Sequence, residues 1–365
     1  MNYAKAKPSK IGILFNNLGA IVFIILVMEL IGHCVHFMSK EQWLWEEEKK
    51  VDGLYKQHPY LVGELLPNKR FEKNGLTIST TPEKTRWVGA PAVEENSIKI
   101  ACVGGSTTFC PNVSDQETWS FMLQRKLGNN YSLMNYGVKG YTTVENIIQM
   151  SLLVPEFKPD VVIFYVGWSD LANYHRKDSR EDYFGHGMEQ FQNFGFSVDK
   201  QNVQDAILSK SGIVYLGSLL NENYEVDYSK LFLKERQKPT SEDDKSFDKI
   251  YGRNLETLKN LTLQLGAVPI FVPHVLNYDE YTSDIDSRFS TPLIVDNSVP
   301  EKMLHLNEIM LNQFDNEVKT RVVIDMIRTE WFPDHFTDEG HFSKNGNDIF
   351  SDILAEQIKK LDVRK

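Results

Sequence analysis

The stretch IKIACVGGSTTFC, residues 98–110, decides how the rest of the chain is read. Ile98, Ile100, Ala101, Cys102 and Val103 make an apolar run of strand length, and Gly104-Gly105-Ser106-Thr107-Thr108 follows with the sharp turn and close backbone approach that glycine permits. The spacing predicts a buried strand that delivers Ser106 at its carboxyl end. Ligands of open α/β sheets lie outside the carboxyl ends of the strands, so Ser106 is a candidate nucleophile. A Gly-Gly-Ser-Thr segment is also ordinary turn chemistry, and no lysine follows at the spacing of a phosphate-binding loop. A base, an orienting acid and an oxyanion site have to come from elsewhere in the chain.

Working outward, helical and strand periods alternate. Asp115 is placed to cap a helix whose apolar positions Trp119, Met122, Leu123 and Leu127 recur at helical spacing until Gly128 stops it. A second strand is predicted at 131–136, leading to Gly137 and Gly140, and a helix runs from Thr143 to a break at Pro155. After Asp160 comes VVIFYVG, apolar on both faces as a central parallel strand is, with Gly167-Trp168-Ser169-Asp170 at its exit. Helices at 247–265 and 300–318 precede strands at 268–272 and 322–326. Five strands alternating with helices predict a doubly wound three-layer α/β/α sandwich around a central, mostly parallel five-stranded sheet of flavodoxin-like type, over residues 97–365. Residues 171–244 interrupt the rhythm with aromatic and charged sequence, and an insertion leaving the third strand beside the site reads as a substrate-selecting lid or as an inert decoration.

The net charge of −10, with 40 basic against 50 acidic side chains, argues against nucleic acid as a partner. Three cysteines, Cys34, Cys102 and Cys110, without a CxxC pair or a clustered His set, argue against a disulfide scaffold and a zinc site, and all three are expected as buried thiols. No cofactor motif is evident. At the other end of the chain, residues 11–38 are apolar at spanning length. Twelve Leu, Ile, Val or Phe residues between Leu18 and Met38 are worth roughly −5 kcal/mol of insertion against about +3 for the lone Glu29. No small-residue cleavage site follows, so the segment reads as an uncleaved transmembrane anchor. Lys5, Lys7 and Lys10 precede it without acids among them, which favours residues 1–10 as a cytoplasmic tail and the bulk of the chain as periplasmic or extracellular. Glu29 is placed either to contact a membrane-protein partner or to lie near the interface on a tilted helix. Residues 39–96 read as a juxtamembrane helix followed by irregular or short-stranded structure that packs on the main domain.

Near the carboxyl terminus stands Asp334-His335-Phe-Thr-Asp338-Glu-Gly-His341-Phe-Ser343. An Asp three residues before a His, at a turn feeding a helix capped by Ser343, can set carboxylate and imidazole on one side of the turn, the acid fixing the ring's tautomer. Asp334 and His335 compete for the same roles, and His274 at the end of the fourth strand reads as structural. Taken together, these pieces resemble the SGNH, or GDSL-like, hydrolase family from residue 98 to the end. The resemblance rests on Gly105-Ser106 after the first strand, Gly140 after the second, the Gly167–Asp170 block after the third and Asp338-x-x-His341 near the end.

The resemblance implies acyl-ester hydrolysis or transfer through a Ser106 acyl-enzyme, with His341 as base and then acid, Asp338 as its orienter, and the backbone N–H groups of Ser106 and Gly140 as oxyanion donors. The family's third donor is the Asn of a Gly-x-Asn-Asp block. Ser169 stands in that place, and a hydroxyl reaches less far than a carboxamide. The expected substrate is an O-acetylated cell-surface carbohydrate. An O-acetyltransferase or a lipid acyl hydrolase on the same site, or a low-activity binding or assembly module, are the alternatives.

Overall fold

The computed structural model describes residues 10–40, 43, 53–58, 60–89, 97–171, 211–213, 216, 241–281, 299–314 and 317–361. The chain divides into two compact units, one of Met1–Lys50 with Ser197–Leu231 and the other of Val51–Phe196 with Phe232–Lys365.

In the first unit, helix α1 (Lys10–Lys40) contains the apolar stretch Leu18–Met38, long and apolar enough to cross a membrane. Its apolar side chains are exposed along most of that length, and Cys34 is exposed with them rather than buried as expected, because no described residue covers its side of the helix. Glu29 is engaged by its own chain. Its carboxylate accepts from the backbone N–H of Gly212 at 2.8 Å and of Ile213 at 3.1 Å, and from the Ser211 hydroxyl at 2.9 Å. The Trp43 ring stacks on Phe37 at 4.7 Å between centroids; the rest of the expected juxtamembrane helix lies outside the described residues.

The second unit begins with two β-hairpins, β1 (Tyr55–His58) with β2 (Val62–Leu65) and β3 (Arg70–Lys73) with β4 (Leu76–Ser79). The short-stranded structure expected before residue 96 therefore forms. The alternating helices and strands follow: β5 (Ile98–Gly104), α2 (Ser106–Phe109), α3 (Trp119–Leu127), β6 (Tyr131–Asn135), α4 (Thr143–Leu152), α5 (Val154–Phe157), β7 (Val161–Tyr165), α6 (Ser241–Gln264), β8 (Val268–Phe271), α7 (Val299–Phe314), β9 (Arg321–Val322), α8 (Asp325–Arg328) and α9 (Lys344–Lys359).

The sheet runs β6-β5-β7-β8-β9 with every neighbouring pair parallel. Strand alternation sends Ala101, Val103, Val162, Phe164 and Phe271 to one face, where α4 to α7 cover them with Met150, Phe157, Leu258 and Leu306. Ile100, Cys102, Ile163, Tyr165 and Ile270 face the other way, under Trp119 and Leu123 of α3 and Phe350, Leu354 and Ile358 of α9. Covering both faces is what allows β7 to be apolar and buried at each of its positions. Because β5 lies between β6 and β7, the winding reverses at this point, and the exits of β5 and β7 open side by side at the topological switch point.

Two local expectations are corrected. Asp115 does not cap α3; Thr118 does, its hydroxyl accepting from the N–H of Phe121 at 3.2 Å. Asp115 instead meets the buried Arg86 guanidinium at 3.2 Å and accepts from the N–H of Ser79 at 2.9 Å, because a buried cation needs a charged partner more than the helix needs a second cap. The fifth strand is only two residues long, and Met326, expected in it, lies in α8. Of the insertion expected at 171–244, residues 172–210, 214–215 and 217–240 lie outside the described residues, and Ser241 already begins α6, six residues before the expected start of that helix at 247.

Candidate active site

Ser106 is the first residue of α2, immediately after β5 and Gly105. The turn is braced from three sides. The Trp119 indole donates to the Thr107 carbonyl at 3.1 Å, the Thr108 hydroxyl to the Tyr165 carbonyl at 3.3 Å, and the Asn135 carboxamide to the Thr108 carbonyl at 2.8 Å. Gly105 is required by crowding: a Cβ there would stand 2.7 Å from the Tyr141 carbonyl and 2.9 Å from the Ser169 hydroxyl. The segments after β6 and β7 thus close directly on the turn that carries Ser106.

Across the cleft the Ser343 hydroxyl accepts from the N–H of Gly346 at the start of α9, and the turn before it carries Asp338 and His341. His341 Nε2 lies 2.8 Å from Ser106 Oγ, and His341 Nδ1 lies 2.9 and 2.8 Å from the two carboxylate oxygens of Asp338. Burial works against the Asp338 charge, but hydrogen bonds from the His341 ring and from the backbone N–H groups of Gly340 and His341 outweigh it and hold the carboxyl down at about 2. An ionised carboxylate can only accept, so the ring proton sits on Nδ1 and the Nε2 lone pair faces the serine hydroxyl. Ser106 itself is only 7% exposed.

The exits of the second and third strands are braced in turn. Gly140 adopts φ +83, and the hydroxyl of its neighbour Tyr141 donates to the Gly63 carbonyl in β2 at 2.5 Å, so a hairpin braces the glycine loop. The fully buried Asp170 accepts from the Thr143 hydroxyl at 2.6 Å and from its N–H at 3.2 Å, while Asn254 of α6 donates to the same hydroxyl at 2.9 Å. This lock ties the Ser169 segment to the first turn of α4, just past Gly140.

Of the residues expected to form the site, Ser106, His341 and Asp338 are joined by hydrogen bonds, and Ser169 packs against the turn that carries Ser106. Asp334 and His335 do not join them. His335 Nδ1 accepts from the N–H of Phe332 at 3.2 Å, and the Asp334 carbonyl accepts from the Ser343 hydroxyl at 2.7 Å. His274 is fully buried, stacked on Tyr165 at 4.4 Å and on Trp168 at 5.9 Å. Burial pushes its imidazole down to about 3, with the nearby His341 adding to the effect and the Val275 carbonyl opposing it. One contact with Asp338 has no motif to announce it: the Asn112 carboxamide donates to Asp338 Oδ2 at 2.8 Å and to the Thr337 hydroxyl at 2.9 Å. Among the described residues, no group of three or more His, Cys, Asp or Glu is placed to hold a metal ion.

No protein-family model matches the chain, and no curated protein matches it in sequence. Solved structures are similar at low identity. A GDSL-like lipase from Bacteroides thetaiotaomicron is 13% identical over 74% of this chain and 92% of its own, with a TM-score of 0.41. The acetyl xylan esterase AlAXEase is 13% identical over 72% and 100%, at 0.39, and a lipase/acylhydrolase from Enterococcus faecalis is 15% identical over 73% and 98%, at 0.41. Similarity this low leaves the chemistry to the distances within the site itself.

Proposed function

We propose that the chain is a serine ester hydrolase of the SGNH, GDSL-like type, held at a membrane by α1, that removes O-acetyl groups from a cell-surface carbohydrate. The continuous hydrogen-bond path from Ser106 Oγ through His341 to Asp338 carries this reading. Ser106 Oγ attacks the ester carbonyl as His341 Nε2 takes its proton, and Asp338 stabilises the resulting imidazolium. The N–H groups of Ser106 and Gly140 and the Ser169 hydroxyl are the donors assigned to the oxyanion. Collapse of the tetrahedral intermediate breaks the C–O bond to the sugar, whose oxygen leaves with the proton held on His341. Water then enters, gives a proton to His341 and its oxygen to the acyl carbon, and acetate departs as Ser106 recovers its hydrogen. The lysines before Leu18 orient the anchor with its amino terminus cytoplasmic and the α/β domain outside.

The same acyl-enzyme serves transfer to a second hydroxyl or hydrolysis of a lipid ester, so the acceptor separates these activities. Full-length protein in detergent is treated with a fluorophosphonate probe and, separately, with an O-acetylated oligosaccharide. Labelling at Ser106 with release of acetate supports the hydrolase. Labelling without release, followed by acetyl transfer to an added glycan, makes the chain a transferase. Absence of both overturns an enzymatic reading and leaves a binding or assembly module, the outcome that serine at 169 in place of a carboxamide favours.

A further inference from the structure

A cleft of about 360 Å³ adjoins the site, walled by the two hairpins, the end of α2 and the loop before Gly140. Its lining is largely apolar, with Tyr55 and Phe109 buried in the floor and Phe71 partly exposed, and two exposed lysines line it as well, Lys73 from β3 and Lys139 from the loop. Its position ties it to the chemistry. Asn112 lines the cleft and donates to Asp338, while Lys139 directly precedes Gly140. Phe109 ends the four-residue helix that Ser106 begins. The cleft walls are therefore continuous with both the carboxylate and the glycine loop of the site.

Its charge is the reverse of the molecule's. The chain carries a net −10, yet no Asp or Glu lines this cleft, and among the described residues neither Lys73 nor Lys139 has an ion-pair partner. Two uncompensated ammonium groups over a partly apolar floor raise the local concentration of anions and select a ligand that is charged at its rim and uncharged at its centre. The volume lies at the lower end of the roughly 300–1,000 Å³ of small-ligand pockets, which suits one or two sugar rings. The partly exposed Phe71 ring can lie against the C–H face of such a ring, and the Asn74 carboxamide and the Asn112 carbonyl oxygen line the cleft with it.

We infer that this cleft binds the alcohol part of the substrate, and that this part is an anionic sugar whose carboxylate or phosphate lies between Lys73 and Lys139. The inference rests on the esterase reading above for the meaning of the ligand, but the cleft's charge selectivity is measured without turnover. The full-length Ser106→Ala protein in detergent is titrated calorimetrically with three ligands: O-acetylated oligogalacturonate, O-acetylated glucose 6-phosphate and neutral O-acetylated xylo-oligosaccharide.

At low ionic strength at least one anionic ligand binds about tenfold tighter than the neutral one, and high salt removes the advantage. The anion with the larger advantage identifies carboxylate or phosphate as the group recognised. Adding Lys73→Glu and Lys139→Glu abolishes the advantage, and Lys73→Arg with Lys139→Arg retains it, which separates lost charge from lost structure. Equal affinity for neutral and anionic sugars, an advantage that survives the double charge reversal, or displacement of the bound sugar by anionic phospholipid vesicles overturns the inference. Failure of the wild-type protein to hydrolyse any acetyl ester, with charge-selective binding intact, contradicts the esterase reading and leaves the cleft assignment standing.

Discussion

Asn112 donates to Asp338 Oδ2 from 2.8 Å, on the oxygen that complements the one held by the backbone N–H groups of Gly340 and His341. With the His341 ring included, the carboxylate is held from both sides, which fixes its plane as well as its charge. The imidazole that bonds it is thereby aimed at Ser106.

Asn112→Ala removes a bond to a charged acceptor, worth about 1.5–3 kcal/mol when fully expressed. Three donors remain, so kcat on p-nitrophenyl acetate is expected to fall about tenfold with KM little changed. Asn112→Asp sets a second carboxylate against the first and is expected to cost more. The carboxyl of Asp338 lies at about 2 in the native protein, below its ordinary value. Its stabilising contribution is present above pH of about 4 and is lost as pH falls through about 2. Removing the Asn112 donor moves that loss to higher pH, visible in the acid arm of the melting profile.

Thr143 supplies two donors to the buried Asp170. Thr143→Val keeps the shape and the N–H but deletes the hydroxyl, leaving the carboxylate one partner short and Asn254 without its acceptor. A loss of roughly 1–3 kcal/mol is expected from the unsatisfied buried groups, measured by denaturant unfolding. Because the lock also joins the Gly140 loop to the Ser169 segment, kcat should drop alongside stability. An unchanged kcat at reduced stability would show that the lock has no part in catalysis.

Ser169 stands where the proposed mechanism puts its third oxyanion donor. If its hydroxyl donates to the oxyanion, Ser169→Ala is expected to lower kcat about a hundredfold, the usual size of one donor. Ser169→Asn, restoring the longer reach of a carboxamide, is expected to raise it. An unchanged rate in both variants assigns the third donor to another group.

His274 provides a stability signature independent of catalysis. Its imidazole protonates near 3 in the fold, against an ordinary value of about 6.5. Between those limits the unfolded chain binds the extra proton, so stability rises with pH across this window and is lost on acidification, by up to about 1.4 kcal/mol per pH unit. His274→Phe retains the stacking on Tyr165 and Trp168 and removes the titration. Its melting temperature should therefore fall less steeply than wild type between pH 6.5 and 4; parallel profiles would contradict the assignment.

The central strands were legible because burial on both faces writes itself into the sequence. VVIFY and IACV can satisfy few other environments, and β5, β6, β7 and β8 form where the apolar runs placed them. The edge was harder. Val322-Val323-Ile324 reads as strand, but only Arg321 and Val322 pair with β8, and the following Asp325 starts a helical turn, since short apolar runs carry no period. Long-range polar pairs were invisible for a different reason. Asp115 stands where a helix cap would stand, and nothing local shows that Arg86 is its partner. Asn112 is likewise an unremarkable turn residue until the fold brings it to Asp338, 226 positions away. Ser106 and His341 stood out only because short motifs recurred at successive strand exits, and the fold brings His341 Nε2 to 2.8 Å from Ser106 Oγ.

The most direct test is the hydrolysis of p-nitrophenyl acetate by the full-length protein and by its Ser106→Ala and His341→Ala variants. A serine and a base that act as a unit give losses that do not add. Each single variant is therefore expected to lose about a thousandfold or more in kcat, and the double variant little beyond that. Equal rates for wild type and Ser106→Ala would contradict the assignment of Ser106 as the nucleophile.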